Sequence, residues 1–173
     1  MTIRGKGNCI EIGTQCYLKN CSFHISGNNN VIRLEENVSA VACEIFIEDD
    51  NNRVIIGEHT HISGKTHIAC IEGTSIRIGK NSLLSSEVTV RSGDSHAVLD
   101  LNGNRINPSA DILIGEHVWI GNRTIFTKGA QVQKDSIVAT GAVVTKKFDE
   151  SNVILGGVPA KVRKTDINWK EER

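Results

Sequence analysis

The sequence predicts an all-β fold, a parallel β-helix in which the chain winds into stacked, flat-sided coils. The first observation is a strict step of six: Ile114, Ile120, Phe126, Val132, Val138 and Val144 are all apolar. The residue four past each of the first five is small or β-branched (Val118, Thr124, Ala130, Ser136, Ala142), and Gly115 and Gly121 directly follow two of the apolar positions. The second is a 22-residue recurrence of apolar-x-apolar triplets: Ile10-Glu11-Ile12, Ile32-Arg33-Leu34, Val54-Ile55-Ile56 and Ile76-Arg77-Ile78. The third is composition, with 16 glycines, two prolines and only 4% aromatic residues. A helix spaces its apolar positions by three and four, and a half-buried strand by two. A step of six fits a chain that turns a corner every six residues, placing one aliphatic group per side into a shared interior. Coils would then stack at the strand spacing of about 4.8 Å.

The whole chain, 1–173, reads as one domain of four stretches. Residues 1–90 form N-terminal coils, and the step of six returns inside each unit: Leu34, Ala40, Phe46; Ile56, Ile62, Ile68; Ile78, Leu84, Val90. The extra residues of the 22-residue period fall in polar stretches, Gly27-Asn28-Asn29-Asn30 and Asp49-Asp50-Asn51-Asn52, expected to bulge as longer corners. His24 takes an inward slot, so the first coil is expected to be loose or capped. Residues 91–110, RSGDSHAVLDLNGNRINPSA, break the period and predict a loop excursion on what should be the binding face. Residues 111–146 are the regular coils. Residues 147–173 predict a strand folding back along the prism, then a short helix or extended cap that would protect the last coil's open edges.

Twenty basic and 20 acidic side chains give a formal charge of zero, which points away from nucleic acid and from membrane surfaces. There is no secretory leader pattern at MTIRGKGN and no apolar run long enough to span a bilayer, so a cytoplasmic protein is expected. The five cysteines (Cys9, Cys16, Cys21, Cys43, Cys70) are odd in number and lack a CxxC pair, and are expected to be buried free thiols.

Ile112-Leu113-Ile114-Gly115-Glu116-His117-Val118-Trp119-Ile120-Gly121, Val138-Ala139-Thr140-Gly141-Ala142-Val143-Val144-Thr145-Lys146 and Gly157-Val158-Pro159-Ala160-Lys161 resemble the hexapeptide-repeat acyltransferases. The resemblance implies a left-handed β-helix, an exception to the usual crossover hand, and a homotrimer with sites between subunits. Arg91-Ser92-Gly93-Asp94-Ser95-His96, then Arg105-Ile106-Asn107 and the His-Val-Trp triplet, are most like the O-acetyltransferases of capsular and other surface polysaccharides, including the sialic-acid-modifying ones. Acetyl-CoA is then the implied donor, a sugar hydroxyl the acceptor, and no metal is expected.

Such a transfer needs a base for the hydroxyl proton, a place for the oxyanion and a site for the thioester. His96 stands where the family's catalytic histidine stands, and histidine titrates near working pH; the plainer reading is a solvated loop residue. Asp94 is a candidate to orient the imidazole or touch the sugar, or simply to shape an Asx-turn. By resemblance Trp119 sits near the thioester, its indole N–H a donor to the leaving sulfur or oxyanion; packing in a trimer interface is the alternative. His117 is expected at a surface or interface. Arg105 and Asn107 are candidates to bind an acidic sugar, Arg105 by pairing with a carboxylate. Resemblance carries Ala139, Gly141, Lys146 and Lys161 into donor contact, and Lys147, Arg163 and Lys164 extend that cationic cluster.

Two other readings compete. An N-acetyltransferase of an amino sugar, perhaps nucleotide-linked, would share the fold and donor. A zinc-dependent carbonic anhydrase on the same helix needs converging histidines. Position 101, five after His96, is leucine, and His61 and His67 should fall on consecutive sides.

Overall fold

The structure is a computed structural model that describes residues 1–172. Each coil contributes one short strand to each of three parallel sheets. The first coil holds β1 (Thr2–Arg4), β2 (Cys9–Ile12) and β3 (Tyr17–Lys19), and the second holds β4 (Ser22–Ser26), β5 (Val31–Leu34) and β6 (Ser39–Val41). The third holds β7 (Cys43–Glu48), β8 (Arg53–Ile56) and β9 (His61–Ile62), and the fourth β10 (Thr66–Ile71), β11 (Ser75–Ile78) and β12 (Leu83–Leu84). The fifth holds β13 (Thr89–Arg91), β14 (Ile112–Ile114) and β15 (Trp119–Ile120), and the sixth β16 (Ile125–Phe126), β17 (Gln131–Val132) and β18 (Ile137–Val138). β19 (Val143–Val144) begins a last partial coil, which β20 (Ile154–Gly156) and β21 (Lys161–Lys164) complete. We name the sheets by their first strands: sheet A from β1, sheet B from β2, sheet C from β3. The fold is a left-handed parallel β-helix.

The inward residues form columns along the axis. Ile114, Ile120, Phe126, Val132, Val138 and Val144 are all wholly buried, one on each successive side. In the N-terminal coils the sheet-A strands are longer, and their own two-residue alternation decides what points inward. Ile45 and Ile47 are buried and Phe46 faces out; Phe23 and Ile25 are buried and His24 faces out. This corrects the inward placing of Phe46 and His24. Ile45 pairs with Ile68, while Ala40 pairs with Ile62, so the corner from Ala40 to Ile45 is one residue shorter than its successor. Outside the prism, the His24 and Phe46 rings lie 6.3 Å apart.

The polar corners of the 22-residue period also differ from expectation, because they turn asparagine inward. Asn30 and Asn52 are fully buried. The Asn30 N–H donates to Asn8 Oδ1 at 3.0 Å, the Asn52 N–H to Asn30 Oδ1 at 2.8 Å, and the Thr74 N–H to Asn52 Oδ1 at 3.1 Å. The ladder ends where Thr74 Oγ1 meets Ser92 Oγ at 2.7 Å. Each side-chain oxygen satisfies the backbone donor of the coil above, which is what permits amides in an aliphatic interior. All five cysteines are free, but only Cys43 and Cys70 are buried, and burial pushes the Cys43 thiol up to about 12.

Between sheets B and C a second column takes left-handed backbone: Asn37, His59, Asn81, His117, Asp135 and Asn152, with φ from 53 to 57°. Asn, Asp and His are the non-glycine residues that enter this region most readily. Each donates its N–H to a carbonyl one coil below, as His117 does to Lys80 at 2.8 Å. At the C-terminal end the described residues hold no helix; β21 folds back antiparallel on β20, and an extended tail follows.

Asn52→Ala would strand the Thr74 N–H and the Glu48 carbonyl, which accepts from Asn52 Nδ2 at 2.7 Å. We expect a loss of about 2–3 kcal/mol in urea unfolding, the cost of buried groups left unpaired. A loss under about 0.5 kcal/mol, typical of a surface change, would contradict the ladder's role.

Candidate active site

The excursion leaves the prism after β13 and returns just before β14. The Ala110 N–H donates to the Ser92 carbonyl at 2.9 Å, closing the loop at its base. A Cβ at Gly93 would meet Ser109 Oγ at 2.2 Å and Ile71 Cδ1 at 2.6 Å, so any larger residue there would have to displace both side chains. The loop then folds into a small hairpin. Ile106 N–H donates to the Val98 carbonyl, Leu99 bridges Arg105, and the Asp100 carboxylate caps the tip through the Asn102 and Asn104 N–H groups. Val98, Leu99, Leu101 and Ile106 leave the hairpin's apolar surface exposed.

Three side chains brace the hairpin. Arg105 spreads its guanidinium over Glu72, with Nη1 at 2.7 Å from one carboxylate oxygen and Nη2 at 3.0 Å from the other. Ser109 Oγ donates to the same carboxylate at 2.6 Å. Arg105 first and Ser109 second hold the Glu72 carboxyl well below its usual range, at about 2. Asn107 is nearly buried and acts as a hub: its Oδ1 accepts the Val98 N–H at 2.7 Å, and its Nδ2 donates to Asp94 and to the His96 carbonyl, both at 2.8 Å. Asp94 also takes Lys128 Nζ at 2.5 Å, and these partners, Lys128 foremost, lower its pKa. Glu72 and Lys128 were not singled out in the sequence, since each lies over 30 residues from its partner and meets it only through coil stacking.

His96 is left with its backbone fixed by Asn107 and its imidazole exposed and free of hydrogen bonds among the described residues. Around it, Asp94 faces Lys128 and Asn107, Arg105 faces Glu72, and Arg91 Nη2 donates to Ser95 Oγ at 2.8 Å. The guanidinium expected to await a sugar carboxylate already has a carboxylate partner. Trp119 lies on the outer face of sheet C, 39% exposed, while His96 follows sheet A, so the two occupy different sides of a single prism. His117 is engaged within the chain: its Nδ1 is 3.0 Å from Asp135 Oδ1 and its ring stacks on Trp169. His61 and His67 stand on different sheets, and His67 Nδ1 faces Glu44 at 2.8 Å.

The residues expected to meet the donor fall in two places. Ala139 and Gly141 make the corner between β18 and β19, against which Gly157 and Ala160 bond to the Val143 backbone; Lys161 follows directly in β21. Gly141 has φ of 71°, and a Cβ there would meet nothing within 4 Å, so the outer side of this corner is open. Lys146 lies past the far end of β19, its Nζ 5.3 Å from the Phe148 ring centroid. Lys146 and Lys161 have no acidic partner among the described residues, whereas Lys147 pairs with Asp149 and Arg163 donates to the Gly156 carbonyl.

The depressed Glu72 pKa has a definite sign. Its contribution to holding the hairpin is present above the usual carboxylate range and is lost as pH falls toward about 2. Hydrogen exchange should therefore find the Val98 and Ile106 amides protected at about pH 4 and deprotected in Glu72→Gln at every pH, with the prism amides unchanged. Equal protection in both proteins would show that Arg105–Glu72 does not hold the loop.

No family model matches the chain. It is 31% identical over 170 residues to the polysialic acid O-acetyltransferase of Neisseria meningitidis, covering 98% of this chain and 78% of that one. The crystal structure of the polySia-specific acetyltransferase NeuO superposes with a TM-score of 0.78 at 27% identity, over 99% of this chain and 89% of that one. That of the polysialic acid O-acetyltransferase OatWY does so at 0.77 and 28%, over 99% and 92%. With a relative above 30% identity matched over more than two thirds of its length, and a β-helix that superposes over 99% of this chain, the chain belongs to the hexapeptide-repeat acyltransferase family and is an acyltransferase.

Proposed function

We propose that this acyltransferase moves an acetyl group from acetyl-CoA to a hydroxyl of an acidic surface polysaccharide or its precursor, by direct transfer with His96 as general base. A sugar O-acetyltransferase is what the polysialic acid O-acetyltransferase relatives support. The observation that carries the finer reading is the bracing of the loop: its other charged side chains near the base are engaged, and the imidazole is presented on a fixed backbone, open to solvent and without a hydrogen bond among the described residues. A base needs that freedom to reach a hydroxyl proton, and a fixed origin to reach it repeatedly.

Acetyl-CoA supplies the acetyl group as an activated thioester. On the protein side, His96 takes the proton of the attacking hydroxyl and returns it to the departing thiol, so the imidazole ends neutral. Trp119 offers its indole N–H to the charge that develops beside the thioester. The open corner at Ala139 and Gly141 lets an extended pantetheine arm lie against backbone, and Lys146 and Lys161, without acidic partners among the described residues, suit its phosphates. Asp94, Arg105 and Asn107 act on the acceptor chiefly through the hairpin they brace. Arg105 can recruit a sugar carboxylate only in exchange with Glu72.

Because His96 and Trp119 stand on different sides of one prism, a single chain cannot bring them to one substrate. Two copies side by side can, and a cyclic trimer repeats that contact three times with one interface. The exposed apolar hairpin beside His96 supplies a surface for it. A cytoplasmic setting, where acetyl-CoA is available, completes the proposal. An N-acetyltransferase would use the same donor corner and differ in its acceptor.

Thiol release from acetyl-CoA against sialic-acid oligomers, neutral hexose polymers and amino sugars tests this directly. Acceptor-dependent release on the sialic-acid oligomers should fall by about 10²-fold or more in His96→Ala, the usual worth of a general base. Turnover on amino sugars alone would favour N-acetylation, and an unimpaired His96→Ala would remove the base. Arg105→Ala should raise KM alike for acidic and neutral acceptors if Arg105 acts by bracing, and selectively for acidic ones if it binds the carboxylate.

A further inference from the structure

We propose that Trp169 is a positioning residue for Trp119, and that the C-terminal tail is thus a part of the acyl-transfer site. The inference rests on the role of Trp119 proposed above. After β21 the tail runs back along the side of the prism. It is pinned first at Asn152: the Ile167 N–H donates to the Asn152 carbonyl at 3.0 Å, and Asn152 Nδ2 returns a bond to the Ile167 carbonyl at 3.1 Å. Trp169 then lies flat on the His117 ring, with centroids 4.3 Å apart and planes 13° from parallel. Its Nε1–H donates to the His117 carbonyl at 2.8 Å, and His117 Nδ1 is held by Asp135. Asn152, Asp135 and His117 are three consecutive members of the left-handed corner column, so the tail is fastened to the most regular feature of the solenoid.

This fastening leads to Trp119. The two indoles are 6.1 Å apart and inclined at 43°, within the range of aromatic contact. Trp169 is only 8% exposed and Trp119 39%, so the tail covers one flank of the Trp119 indole and leaves the rest open. On sheet C the nearest outward neighbours of Trp119 in its own column are Leu83 below and Ile137 above. Neither restrains the ring sideways as a flat indole would. A donor that must meet developing charge has to be held in one orientation, and packing by a second layer of side chains is how that is done. An end cap does not explain the placement, because Trp169 lies against the side wall at the fifth coil, while Phe148 and β20 close the last coil.

The chain has two tryptophans, so each can be observed alone. Trp169→Ala and Trp169→Phe leave Trp119 as the sole emitter. With Ala, Trp119 emission should shift to the red and its anisotropy fall; Phe, which keeps a flat ring on His117, should restore both. In kinetics, Trp169→Ala should lower kcat roughly tenfold with little change in acceptor KM, Trp169→Phe should recover most of it, and the Ala change should cost almost nothing further in a Trp119→Phe background. An equal loss in both backgrounds, with Trp119→Phe itself impaired, would overturn the positioning role while leaving Trp119 in the site. Full activity of Trp119→Phe would overturn the role of Trp119 and this inference with it. Unchanged Trp119 emission and anisotropy in Trp169→Ala would overturn the inference alone.

Discussion

The molecule depends on hydrogen bonds that run parallel to its long axis, from each coil to the next. Strands and corners both obey this: at a strand the Leu83 N–H reaches up to the Val118 carbonyl, and at the corners the His117 N–H reaches down to Lys80 and the Asp135 N–H to Glu116. To keep every donor aimed at a neighbouring coil, each corner must turn the same way, and one column does so in left-handed backbone without using glycine. Columns of like side chains follow as a consequence, aliphatic toward the axis, and in the N-terminal coils an asparagine ladder. A residue that fits its own coil but not the column disturbs two interfaces at once, which is why the interior is so uniform.

The same constraint explains how the chain carries a long excursion. Val90 pairs with Phe126, and Ile76 with Ile112, in uninterrupted register although the loop lies between them in sequence. The Ser92–Ala110 bond closes the corner, so the stack is continuous past it. Freed from the ladder, the loop must be held by side chains, and Glu72, Lys128 and Asn107 hold it. Rigidity comes from the coils, and ion pairs across coils extend it to what protrudes.

Much of this could be read from the sequence, and the exceptions have physical causes. In the C-terminal coils the two-residue strands leave one inward residue per side, so the step of six from Ile114 to Val144 picks out the buried residue of each side without error. In β4 and β7 the strands are long enough for their own alternation to matter, and there the step of six misplaced His24 and Phe46. Asn30 and Asn52 read as turn residues because nothing local distinguishes a turn asparagine from one folded inward under its neighbour. The excursion and His96 stood out as breaks in the period. Their partners did not: Glu72–Arg105, Asp94–Lys128 and His117–Trp169 join residues more than 30 positions apart, and only the stacking of coils brings them together.

A solenoid with one flat-sided wall per sheet offers no deep cleft of its own, and here its two most chemically suggestive side chains stand on different walls. The proposed reaction therefore needs a site shared between copies, with His96 from one chain and Trp119 from its neighbour. Co-expression of the His96→Ala and Trp119→Ala chains, each weakly active alone, tests that claim most directly. If the site is shared, mixed trimers contain interfaces where an intact His96 meets an intact Trp119, and acceptor-dependent thiol release returns to a sizeable fraction of wild type. If the mixed assemblies stay as inactive as the two parents, the two residues do not work across an interface, and the site is not built as described.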